Sequence, residues 1–290
     1  MPTKAQVYAQ LADETALKVT GSYLDWAAFL TTMSRLYKYS YQDQLLIHAQ
    51  RPDATACAEY DLWNNTMHRY VRRGMKGIGL LVPGQQGMTV RYVFDVSDTG
   101  ERQNARQVEP WSLSETAMPA VQRMLENAYF TDASMNLADQ FVHLAARQAL
   151  AYWQNHNRDI IDSVDNSALS GYDRFAIGNS FRKTAAASIL YTLQTRCGLE
   201  PELEREYFTD LPDWNTPATV AELGKAVSTI SGQVLRQIEA VVRQAERSVD
   251  HERTDLQTER RLPAAGSGPD RRGTETTGQV RDDADAVYVA

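Results

Sequence analysis

From Val220 onward the apolar residues Val220, Leu223, Val227, Ile230, Val234, Ile238, Val241 and Ala245 recur at intervals of three and four. That spacing closes into one face of a helix of about seven turns. Thr219 with Glu222 three residues later reads as a capping box at its start. A stripe of this length has to be covered. The candidates are the rest of the chain and a second copy in a coiled coil, and the reading taken is intramolecular. Phe181 to Cys197, rich in Ala with Ile189, Leu190 and Leu193, predicts a partner helix that ends at Gly198. Ser114 to Phe130 and Leu137 to His156 predict two more helices, which makes the second half of the chain helical.

The first half reads differently. Residues 1–36 read as helix, with an apolar face from Tyr23 to Met33 behind Ser22 as N-cap, and Tyr41 to Arg51 forms another helix between Ser40 and Pro52. Glu59 to Asn65 predicts a short helix with Trp63 as a core residue. Val71 to Gly79 predicts a small hairpin, with Gly74 and Gly77 at its turn, and Val90 to Val96 a third strand against it. The fold expected is therefore α+β. With 290 residues the chain exceeds a usual single core. The division expected is a helix-plus-sheet domain over 1–105, a helical domain over 110–247 and a disordered tail over 248–290, where aromatics and apolar periodicity give way to Arg, Asp, Gly, Pro and Thr.

Charge separates the two halves. The chain carries a net −7, and a pI near 5.3 argues against an indiscriminate nucleic-acid coat, because counterion release needs many phosphate-facing cations. Between Tyr37 and Lys76, however, six cations (Lys38, Arg51, Arg69, Arg72, Arg73, Lys76) outnumber four acids. Tyr37, Tyr39, Tyr41, Tyr60, Trp63 and Tyr70 are interleaved with them. Flat rings that stack on unpaired bases beside cations that follow phosphates suit single-stranded nucleic acid. The residues expected to bind are Lys38, Tyr39, Tyr41, Gln44, Arg51, Arg69, Arg72, Arg73 and Lys76. Of the two tyrosines beside Ser40, one is expected in the core and the other, Tyr39, as a stacking platform.

The same stretch carries a resemblance. YSYQDQLLIHAQRPDATACAEYDLW, then VRRGMKGIGLLVP, then VFDVSDT, resembles the N-terminal domain of ArdC antirestriction proteins over roughly Tyr23 to Thr99. The parts occur in the family's order: an aromatic-Ser-aromatic turn, a helix with L-L-I-x-x-Q-x-P-x-A, a Trp, a V-x-x-G-x-K-G-I hairpin and a V-F-D-V strand. The resemblance implies a single-stranded DNA-binding module of a plasmid or conjugative element, with conjugation or restriction-system proteins as further partners. The tail is similar to linkers that lead to further domains in such proteins.

ArdC-like chains often continue into a zinc metalloprotease-like domain, and 175–245 faintly resembles its second half, with Ser188 near the position of a zinc-ligating Glu. No H-E-x-x-H occurs, and no two of His48, His68, His143, His156 and His251 share its spacing, so no metal or other cofactor is expected. A phosphate loop, a G-x-G-x-x-G turn and a G-x-S-x-G elbow are also missing from the sequence. His48 reads as a core histidine and Asp95 and Asp98 as turn caps. Two widely spaced cysteines, and no signal-peptide pattern or membrane-length apolar run, lead to the expectation of a cytoplasmic, non-membrane protein. The expected role is that of a non-enzymatic single-strand binder. The alternatives are a protein-interaction module whose aromatic stretch is simply core, and a catalytically dead remnant of an ArdC-type protease.

Overall fold

The apolar stripe of the C-terminal helix is covered by both halves of the chain. A computed structural model describes residues 1–85, 87–201 and 205–261. In chain order its elements are helices α1 (Lys4–Val19), α2 (Tyr23–Arg35) and α3 (Tyr41–Gln50), then strands β1 (Cys57–Glu59), β2 (Arg69–Val71), β3 (Ile78–Gly84), β4 (Gly87–Asp95) and β5 (Thr99–Glu101). Helices α4 (Met118–Tyr129), α5 (Leu137–Ser163), α6 (Arg174–Cys197) and α7 (Pro217–Arg261) follow. The fold is α+β.

Local chemistry accounts for the helix ends. Ser22 and Ser40 each accept the backbone N–H three residues on, at 3.1 and 3.2 Å, and Gly198 ends α6 with φ 73°. Helix α7 starts three residues earlier than its periodicity suggests, at Pro217 rather than Val220. The reciprocal cap is between Thr216 and Thr219, each hydroxyl accepting the other's backbone N–H at 3.2 and 3.1 Å, and Pro217 takes the first position, where its missing N–H costs nothing. At its other end α7 runs on to Arg261, past the expected start of the tail at 248. The sequence 249–261 lacks apolar periodicity but is rich in Glu, Gln and Arg, good helix formers that extend a helix already nucleated. The rest of the expected tail, 262–290, lies outside the described residues.

One apolar cluster runs through the molecule. It joins Trp26, Phe29 and Met33 of α2, Leu46 of α3, Phe141 of α5, Phe181 and Ile189 of α6, and Val220 to Val242 on α7. Each such side chain, fully buried, contributes roughly 1.5–3 kcal/mol. The polar connector at 100–112 is where a domain boundary is expected from sequence, and one apolar cluster spans both sides of it. Trp26 Nε1 donates to Ser188 Oγ at 2.8 Å, Thr31 bonds Tyr191 at 2.9 Å, and the Tyr41 ring lies against Gly224, where a Cβ would fall 2.0 Å from Cε2.

The strands form two small sheets. In one, β4 is central and antiparallel to both β1 and β3; in the other, β2 pairs with β5. The hairpin expected between Val71 and Gly79 is therefore absent: Ile78–Gly84 turns back on Gly87–Asp95, and Arg69–Val71 pairs with Thr99–Glu101. The first sheet packs on α3 and α1. A second, smaller cluster of Ala58, Trp63 and Met67, edged by Val71 and Phe94, joins it to the β2–β5 ribbon. Trp63 is fully buried in a short π-helical turn, Leu62–Thr66, with Nε1 donating to Phe94 O at 2.9 Å.

Candidate nucleic-acid interface

Of the expected site cations, those that stay exposed lie on the turn that follows β2 of the β2–β5 ribbon. Its register sets Tyr70 opposite Gly100. A side chain at Gly100 would meet the Tyr70 ring at 2.5 Å, so the ring lies over the glycine backbone and is 43% exposed. The chain leaves β2 through Arg72, whose N–H donates to Asp98 O at 2.9 Å. It then turns at Gly74, with φ +90°, a conformation that disfavours side-chain-bearing residues. Met75 N–H closes the turn on Arg72 O at 3.2 Å.

Three expected site residues lie on this turn. Arg72 is exposed and spends one N–H on Thr99 O at 2.7 Å. Arg73 and Lys76 are exposed and, among the described residues, make no ion pair or side-chain hydrogen bond. Arg102 and Arg106, from the segment read as a polar connector, belong to the same region. Their backbone N–H groups bond His68 O and Met67 O, both side chains are exposed, and Arg102 also contacts Asn64. Their position was not legible in the sequence because it depends on pairing across about 35 residues.

The other six expected residues have structural partners. Lys38 pairs with Glu239 of α7 at 3.0 Å. Tyr39, expected as the exposed platform, is half-buried and donates its hydroxyl to Cys57 O at 2.8 Å; burial pushes its pKa far up. Tyr41 is in the core, edge-on to Phe29 at 6.1 Å. Gln44 is fully buried and donates to Leu36 O at 3.0 Å. Arg51 bonds Asp98, which raises its pKa. Arg69 is buried, held by Thr99 Oγ1 at 2.8 Å and Glu101 at 3.0 Å. These residue types alternate in sequence because they alternate between a core and its ion-paired margin.

The remaining polar candidates serve the fold as well. Burial pushes Asp95 up, but hydrogen bonds from Ser97, Thr55 and Ala56 outweigh it and leave the carboxyl below the usual range. His48 bonds Thr32 at 2.8 Å, and burial, with Lys18 and Arg35 nearby, lowers its pKa. Ser188 is fully buried beneath Trp26. Among the described residues no three His, Cys, Asp or Glu side chains converge as metal ligands, and no helix is long and apolar enough to cross a membrane. Comparison of the chain with protein-family models, curated proteins and solved structures finds no match to any of them.

Proposed function

We propose that the protein binds single-stranded DNA through the β2–β5 ribbon and the turn that follows it, as a binding protein of a mobile or conjugative element with an antirestriction role. The observation that carries this reading is the glycine-shaped turn, where Arg72, Arg73 and Lys76 are exposed beside the open ring of Tyr70. Cations without carboxylate partners keep their full attraction for phosphate, and an open ring beside them offers a base a stacking surface. The resemblance to the ArdC N-terminal domain supports the same reading and supplies the mobile-element context. Action is by binding, with no catalytic step.

Fluorescence anisotropy with a labelled oligothymidylate, a duplex of the same length and an RNA single strand tests it. Single-strand affinity should exceed duplex affinity and fall steeply with salt. Replacing Arg72, Arg73 and Lys76 together by Ala should weaken binding and flatten the salt slope by up to about 0.7 per lost contact. Equal affinity for duplex, or an unchanged slope in the folded triple variant, refutes the reading.

A further inference from the structure

On another part of the surface, the α2–α3 turn, the end of α6 and the middle of α7 enclose a cleft that the ribbon does not share. Its inner part, about 50 Å³, lies against Trp111, Arg35 and Arg196. An outer part of about 320 Å³ opens past Lys38, Arg236 and Arg243. Five cations thus line a space whose carboxylates are Glu239 and Glu109.

The arrangement is built rather than incidental. Glu239 is buried; its Oε2 accepts from the Tyr37 hydroxyl at 2.5 Å and lies 3.0 Å from Lys38 Nζ, which also donates to Oε1 at 3.2 Å. The Tyr37 hydroxyl in turn accepts from Trp111 Nε1 at 2.9 Å. This fixes the indole, and the Arg196 guanidinium stacks on it with Cζ 3.7 Å from the ring. Arg196 is half-buried yet, among the described residues, forms no hydrogen bond or ion pair. Burial lowers its pKa, an effect that the nearby Tyr37, Cys197 and Glu239 oppose only in part. Among the described residues Arg35 and Arg236 donate only to backbone carbonyls, and Arg243 donates to Glu109 O at 3.1 Å and meets Glu246 at the rim at 3.4 Å. A planar cation held in place with its donors unused is the geometry that recognises an oxyanion, since the fork of N–H groups matches two oxygens at once.

We infer that this cleft binds a phosphoryl group, held by Arg196 and Arg243 with Arg236 and Lys38 at its margin. The group comes either from a nucleic-acid backbone or from a free phosphorylated compound. The site is separate from the ribbon, so it stands or falls independently of the proposed function.

The test uses the full chain and pyrophosphate, with inorganic phosphate as a second probe, against chloride at equal ionic strength. Thermal unfolding should shift upward with pyrophosphate as ligand linkage requires, and calorimetry should give a saturable site. Arg196→Gln and, separately, Arg243→Gln should each weaken pyrophosphate binding at least tenfold. Arg243 lies nearer the rim, so its variant keeps the test informative should Arg196→Gln fold poorly. The triple ribbon variant should bind pyrophosphate as the wild type does. Displacement of pyrophosphate by oligothymidylate assigns the site to strand phosphate, and its retention assigns it to a free phosphorylated ligand. No stabilisation beyond that of chloride, or wild-type binding by both glutamine variants, overturns the inference.

Discussion

Replacing Gly224 by Ala separates a core role for Tyr41 from a surface one. In an open helix interior the substitution should stabilise by about 1 kcal/mol, because glycine is the poorer helix former. Here the added methyl would sit 2.0, 2.3 and 2.8 Å from Cε2, Cδ2 and Cζ of the Tyr41 ring, whereas carbon atoms pack at about 3.5–4.0 Å. The ring cannot swing away, being buried and edge-on to Phe29. Overpacking of this kind costs about 1–3 kcal/mol, so against a helix-propensity gain of about 1 kcal/mol the net effect should be a loss of up to about 2 kcal/mol. In a Tyr41→Ala background the ring is gone and the same change should stabilise by up to about 1 kcal/mol. The coupling between the sites is then about 1–3 kcal/mol, the overpacking cost itself, within reach of a double-mutant cycle. Urea unfolding followed by circular dichroism measures it. If Gly224→Ala stabilises the wild type, or has the same effect in both backgrounds, the tyrosine does not pack on α7 as described and its candidacy as a stacking platform reopens.

Other outcomes follow from the same geometry. Tyr70→Ala should lower oligothymidylate affinity by about 1–3 kcal/mol with the salt slope unchanged, since it removes stacking and no charge; anisotropy at several salt concentrations separates the two. Burial, with Lys18 and Arg35 nearby, lowers the folded pKa of His48 below the ordinary 6.5, so the unfolded chain binds the extra proton as pH falls. Stability should therefore decline below about pH 6.5 and level off beneath the folded pKa, and unfolding of His48→Gln between about pH 7.5 and 5 should show a flatter dependence. Residues 1–105 expressed alone should lack a cooperative unfolding transition, because Trp26, Tyr37 and Tyr41 lose Ser188, Glu239 and Gly224; a sharp transition in that fragment would show that the shared core is dispensable.

What the sequence made legible was whatever depends on neighbours in sequence. The α7 stripe, the serine caps of α2 and α3, the glycine end of α6 and the buried Trp63 all follow from spacing or from a residue's own backbone preference. Strand pairing was not legible, because β2 and β5 are three residues each, too short to carry a period. Nor was the fate of the charges. Lys38 is neutralised by a glutamate 201 positions away, and Arg69 by Glu101 across a ladder, with Thr99 accepting a further hydrogen bond. In composition these cations are indistinguishable from Arg73 and Lys76. What distinguishes the latter pair is backbone: a turn with a left-handed glycine at Gly74 holds them away from any helix face on which an acid three or four residues off could pair with them. Positive charge thus stays available at the surface where local geometry denies it a partner. Inside the α6–α7 cleft the same outcome has a different cause, because Glu239 is already committed to Tyr37 and Lys38, leaving Arg196 stacked on Trp111 without an anion of its own.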